Sequence, residues 1–244
     1  MTYFKYFPQV FYKFGDETTD ATFENLSIYA DIIDQVSDAT TVYQEYYIQP
    51  GERPDQVSQK LYNTPEFHWT FYLMNDNIRE GGWPQAPNKI FDQATTTYGS
   101  RVITTRTKLT DKFKVGQTIT GASSGATATI DRRLLDLGQL FLKDVTGTFT
   151  ASENVNSVNA AGATEVITVQ SFEFQYNAAH HYENADGSYA DIDPEVGPGG
   201  LLTEVTWLDR IQKVNTANRE IKVLKAGVVN DIVKAFRDAV GSAS

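Results

Sequence analysis

Three histidines, at positions 68, 180 and 181, are the only imidazoles in a chain with no cysteine. Nucleophilic or acid–base chemistry at neutral pH would have to draw on them or on a tuned carboxylate. His68 lies in the aromatic run FHWTFYLM, where packing in a core or an interface is its expected role. His180 and His181 are adjacent, and neighbours on an extended chain point to opposite faces, so the two are not expected to converge on one metal. Asp186, Asp191, Asp193 and Glu195 offer oxygens suited to calcium, but the EF-hand order of oxygens, glycine and closing glutamate is absent. A solvated acidic loop is the expected reading there. The segment GASSGATATI at 121–130 lacks the lysine and hydroxyl of a phosphate loop and reads as turn chemistry. No residue pair stands out as glycosidase carboxylates, whose separation is a tertiary property. No catalytic residue, cofactor or metal is therefore expected.

Charge and composition narrow the partners. With 31 acidic against 21 basic residues the formal charge is −10, which repels phosphate backbones, so nucleic acid is not an expected partner. No window approaches a membrane span, and the N-terminus, with Lys5, Pro8 and Lys13, does not read as a signal peptide. The aromatic content is high, with 14 Phe, 13 Tyr and 3 Trp, and such side chains dominate cores and protein interfaces.

Several elements must carry these residues. Seven of residues 3–14 are Phe or Tyr, too dense for a helical or strand period, and the segment reads as an extended arm that covers this chain's own core or docks on a neighbour. Thr22 is placed to cap a helix with Phe23, Leu26, Tyr29, Ala30, Ile33 and Val36 near one face. QEYYIQ at 44–49 predicts a strand ended by Pro50-Gly51. Pro54 opens a helix with Val57 and Leu61 inside, and Tyr62-Asn63 closes it. Thr64-Pro65 opens a second helix, apolar around most of its circumference, and the glycines and prolines of 79–88 break regular structure.

From about 101 to 172 the composition turns to Thr, Val, Ile, Gly and Ala, which predicts a module of short strands, a small sandwich or barrel. FKVGQTITG at 113–121 and FTASENVNS at 149–157 are related, implying two similar hairpin-like units. Residues 177–202 read as a long loop. A strand or short helix near 203–213, a turn at 215–218, a strand in REIKVL and an amphipathic final helix with Val229, Ile232, Val233 and Phe236 complete the chain.

Residues 46–75 resemble a LysM motif, and a longer resemblance joins ERPDQVSQKLYNTPEFHWTFYLMNDNIREGGWP to WLDRIQKVNTANREIKVLKAGVVNDIVKAFRDAV. Together the two blocks look like the baseplate wedge protein fifty-three family of T-even-like contractile-tailed bacteriophages. Arg53-Pro54, Leu61-Tyr62, Trp69, Asn75 and Trp83 carry the first block, and Asn218-Arg219, Ile221, Val223 and Phe236 the second. The intervening β segment resembles a GATA-type repeat inserted in phage tail proteins. The resemblance implies a structural, non-enzymatic virion protein of the tail baseplate. Its implied role is to clamp adjacent wedges around the hub, in contact with other wedge proteins and with sheath-initiator-like and hub proteins.

The expected fold is therefore α+β: a LysM-like helical pair with short strands, an inserted small all-β module and a C-terminal strand–helix segment. The expected divisions are an aromatic arm (1–20), a LysM-like wedge domain (21–100), the β module (101–172), a loop (173–202) and a C-terminal segment packing back on the wedge domain (203–244). Candidate interface residues are Tyr6, Phe11, Arg53, Tyr62, Trp69, Asn75, Trp83, Arg219 and Phe236. Large rigid aromatics lose little entropy on docking, and Arg53 is suited to a bidentate bond with a partner carboxylate. The competing expectations are a peptidoglycan-binding or lysin module built on the LysM-like stretch, and a calcium-dependent adhesin using the acidic loop.

Overall fold

A computed structural model describes residues 9–16, 18–24 and 42–242. In chain order its elements begin with β1 (Gln9–Tyr12), β2 (Ala21–Glu24), β3 (Tyr43–Tyr47), α1 (Pro54–Tyr62), α2 (Trp69–Met74), α3 (Asp76–Gly81) and α4 (Pro87–Thr97). Then come β4 (Arg101–Thr105), β5 (Thr118–Gly121), β6 (Thr127–Leu134), β7 (Gln139–Thr146), β8 (Asn154–Val158) and β9 (Thr164–Phe174). The last are β10 (Ala179–Glu183), β11 (Tyr189–Ala190), β12 (Thr203–Thr206), α5 (Trp207–Ala217), β13 (Glu220–Leu224) and α6 (Val229–Ser242). The chain divides into two compact units, one made of Met1–Ala86 with Val214–Ser244 and the other of Pro87–Lys213.

In the first unit, β3 and β13 pair antiparallel, with Tyr47 opposite Glu220 and Tyr43 opposite Leu224. The turn after β3 uses Gly51 at φ +84°, a conformation that glycine adopts at no steric cost. Helix α1 starts at Pro54, where the missing N–H is not needed. The Gln56 side chain accepts from the Arg53 backbone N–H, and Asn63 stops the helix in the left-handed conformation. Thr64 caps a 3-10 turn at Pro65–Phe67 that leads into α2. Ile48, Val57, Phe71, Ile78, Ile221 and Val223 form the core under this sheet. Met74, Leu224, Val229 and Val233 form a second cluster against α6.

The second unit is organised by a closed antiparallel barrel in the order β4-β7-β6-β5-β8-β9. Closure removes the free edges that open sheets leave unpaired. Its interior holds Ile103, Phe113, Ile119, Ile130, Leu140, Phe149, Val155 and Ile167. The two related sequence units build the same turn. Gln117 N–H donates to Lys114 O at 3.1 Å and Glu153 N–H to Thr150 O at 3.3 Å. Gly116 and Ser152 both have positive φ. Their N–H groups donate to Ile130 O and Val169 O respectively, each at 2.8 Å. Strands β5 and β8 then pair so that Thr120 faces Asn156, with Ile119 opposite Ser157 and Gly121 opposite Val155. That register relates the two units by a local two-fold axis through the Thr120–Asn156 pair.

Four expectations are corrected. The fold is not an α+β arrangement based on a LysM-like helical pair: strand outweighs helix among the described residues, and a closed six-stranded barrel is the largest sheet. The helices of the expected pair are short, with α1 of nine residues and α2 of six, whereas β9 runs for eleven. Residues 177–202 are not one loop, since β10 pairs with both β11 and β12 in a three-stranded sheet. Regular structure continues through Gly81 in α3 and resumes at Pro87 in α4, so the break is confined to Gly82–Ala86. Thr22 and Phe23, expected at a helix start, lie in β2, and the remainder of that helix falls at 25–41, outside the described residues.

Candidate protein-interaction surface

Among the described residues of the first unit, the N-terminal hairpin carries the most concentrated exposed apolar surface. β1 and β2 pair antiparallel with Val10 opposite Phe23 and Phe11 opposite Thr22. Phe11 is 69% exposed, and Tyr12, Phe14 and Phe23 are each about half exposed. Tyr12 meets Phe14 edge-on at 4.9 Å and Phe14 meets Phe23 at 5.8 Å. An isolated two-stranded ribbon buries too little to be stable by itself, and exposed aromatics of this density mark interaction surfaces. Tyr6 lies outside the described residues.

The other candidates divide by burial. Arg53 is exposed, and its guanidinium is held locally by Asp55 through bonds of 3.1 and 2.9 Å. Tyr62, Trp69, Asn75, Trp83, Arg219 and Phe236 turn inward in the first unit. Tyr62 donates to Leu224 O at 2.9 Å, and burial pushes its pKa up to about 12. Trp69 packs on Phe236 with ring centroids 4.8 Å apart. Trp83 donates from Nε1 to Glu52 O and rests beside Phe71 and Tyr72. Buried Arg219 donates to Gln85 O at 3.2 Å.

Asn75 works as a strand surrogate. Its Oδ1 accepts from Lys222 N–H and its Nδ2 donates to Lys222 O, both at 2.7 Å, with a further bond to Phe71 O at 2.8 Å. One amide side chain thereby satisfies both backbone groups of Lys222 on the β13 edge. Sequence periodicity gives no sign of this role, because the partner is 147 residues away.

In the second unit the adjacent histidines do meet. A bulge between Ala179 and His181 interrupts the β10–β12 register. It brings His180 Nδ1 within 2.9 Å of His181 Nδ1, where a regular strand would have separated them. His181 Nε2 lies 3.0 Å from Glu183 Oε1, and Lys213 Nζ lies 2.5 Å from Glu183 Oε2. The Lys213 bond, with that from His181, holds the Glu183 carboxyl below its usual range. Burial, with Arg210 and His181 beside it, lowers the His180 pKa. The chain of bonds can pass a proton between imidazoles, and it ends on the Lys213 ammonium, which is paired with Glu183 as a cation and in that form is not a nucleophile. Among the described residues, no group of three or more His, Cys, Asp or Glu side chains is placed to hold a metal ion. Asp186 and Asp193 of the acidic stretch instead accept turn bonds from Ser188 and Glu195 N–H groups.

Glu153 was not singled out by the sequence. It is buried in the barrel and accepts from the backbone N–H of Thr150, Ser123 and Ser124 and from the hydroxyls of Ser123 and Ser124. Burial alone would raise its pKa. Those bonds outweigh burial and hold it at about 2. Thus the GASSG turn supplies donors to an internal carboxylate.

Among the described residues, no helix is long and apolar enough to cross a membrane. No curated protein matches the chain. Residues 4–105, which include the aromatic hairpin, β3 and helices α1 to α4, match the family model described as Base plate wedge protein 53, a match that supports a structural role in a phage baseplate.

Proposed function

We propose that the chain is a wedge component that joins adjacent wedges around the hub of a contractile phage tail, with its aromatic hairpin docking on a neighbouring baseplate protein. The observation that carries this reading is the match of residues 4–105 to the wedge family. The exposed Phe11, Tyr12, Phe14 and Phe23 within that segment support it, since they offer large rigid anchors that stay about half exposed or more although Phe14 packs on Tyr12 and Phe23. Arg53 adds a surface guanidinium, and the inward residues Tyr62, Trp69, Asn75, Trp83, Arg219 and Phe236 act by holding the frame. The partners are other wedge, sheath-initiator-like and hub proteins, and the site of action is the virion tail. The peptidoglycan reading rested on the LysM-like fold and has no support once that fold is corrected.

Co-purification of the full chain with the wedge and hub proteins of the same genome tests the proposal. Stable capture is expected, weakened at least ten-fold in Phe11→Ser/Phe14→Ser with an unchanged melting temperature. Capture by none of these partners, or capture indifferent to the hairpin substitutions, would overturn the docking role.

A further inference from the structure

The two related turns of the barrel have diverged in one respect that bears on binding. In the second, the Glu153 carboxylate reaches across to Ser123 and Ser124 and ties the 121–125 turn down. In the first, the equivalent residue is Gln117, whose Nε2 reaches Val158 O at 3.2 Å and Glu165 Oε2 at 3.3 Å. An open groove of about 980 Å³ remains there between the 114–118 turn and residues 156–161. The first copy is thus bridged by a neutral amide through two longer bonds, where the second is bridged by a carboxylate, and the groove lies beside that weaker bridge.

We propose that this groove binds a neutral oligosaccharide. Its floor is formed by Thr118, Thr120 and Asn156 on the outward side of β5 and β8, and none of these side chains makes a hydrogen bond among the described residues. Its rims include Val115 and Val158, each 61% exposed, which suit the aliphatic faces of sugar rings. No arginine lines it, and its charged residues are the two acids Asp111 and Glu165 and the one base Lys114, so it does not attract a phosphate or another polyanion. No aromatic side chain lines it, so it lacks the flat apolar wall that suits a lipid or a planar cofactor. A groove of this volume, at the upper end of roughly 300–1,000 Å³ for small-molecule sites, accepts several sugar units. Unpaired hydroxyls and an amide on a rigid sheet are the groups that recognise neutral polyols.

The groove lies beyond the wedge-family match, so the inference is independent of the baseplate proposal. Calorimetric titration and saturation-transfer NMR of the full chain with chitotetraose, maltoheptaose and a neutral mannan would test it. Saturable binding of at least one is expected, weakened ten-fold or more in Thr120→Ala/Asn156→Ala at an unchanged melting temperature. Should that variant fail to fold, Val158→Arg, which fills the rim with a charged side chain, is expected to abolish the same binding. No saturable binding to any of the three, or binding that survives the variants, overturns the inference. Retention of an unstructured peptide pool in place of the sugars, lost in Val158→Arg, also overturns it in favour of a peptide groove.

Discussion

Glu153 shows how one carboxylate can organise a turn from within. Replacing it by glutamine keeps one acceptor but sets an amide donor against the Ser123 and Ser124 N–H groups. We expect Glu153→Gln to cost about 2 kcal/mol at neutral pH, the scale of lost charge-assisted bonds. The pH dependence has a definite sign. A carboxyl held at about 2 against 4.5 in the unfolded chain contributes stability above pH 4.5 that is lost as the pH falls towards 2. The gap between wild type and Glu153→Gln in urea midpoints should therefore narrow over that range, and a constant gap would refute the charged role. The repeat containing Glu153 was legible from its spacing of Phe and β-branched residues. The donors to its carboxylate were not, because Ser123 and Ser124 lie in the other repeat and meet it only once the barrel closes. Asn75 was legible as a residue of the wedge-like block, while its bonds to Lys222 again depend on closure.

Elements whose ends carry their own chemistry were legible. Pro54 at the start of α1 and Asn63 at its end act through local backbone geometry, and the Pro50-Gly51 turn does the same. The β10–β11 hairpin was missed although Asp186-Gly187 sits at its turn, because the surrounding Asn, Pro and Gly residues suggested continuous loop. The β10 bulge was also missed, since one extra residue leaves no periodic trace. That bulge carries a prediction. Burial, Arg210 and His181 lower the His180 pKa below its ordinary 6.5, and His180 packs edge-on against Trp207 at 4.6 Å. Glu183 and Lys213 lie beyond His181 in the same chain of bonds. The neutral imidazole therefore contributes stability above about pH 6.5, lost as the pH falls from there through the folded value. Thermal melts between pH 7 and 5 should show this loss in wild type and a flatter profile in His180→Asn. Equal slopes would show that His180 is not the titrating element.

At the scale of the whole molecule, the first unit is assembled from two distant stretches of chain. The points where the chain leaves and rejoins it are tied together: Gln85 N–H donates to Asn215 Oδ1 at 2.7 Å, and Asn215 Nδ2 donates to Gln85 O at 3.1 Å. Replacing Pro87–Lys213 by a short Gly/Ser linker is therefore expected to leave a folded unit with cooperative melting and dispersed methyl NMR signals. A molten product would show that the first unit needs the second. The composition change near residue 101 and the return of a wedge-like block near 207 suggest an interruption, whereas the two units divide after Ala86 and after Lys213. The location of the cut within α5 was not legible, because a continuous helical pattern hides it. The β3–β13 pairing has a further consequence for synthesis. Glu220 emerges 173 residues after Tyr47, the difference of their positions, and at ordinary translation speeds that is a delay of roughly 9–35 s. The barrel strands are all made inside that interval, so on the ribosome the barrel can fold while the first unit still lacks its closing strand. A chain cut short by a nonsense codon before Glu220 would retain the barrel without the finished frame, which makes the last strand a built-in test that translation ran through.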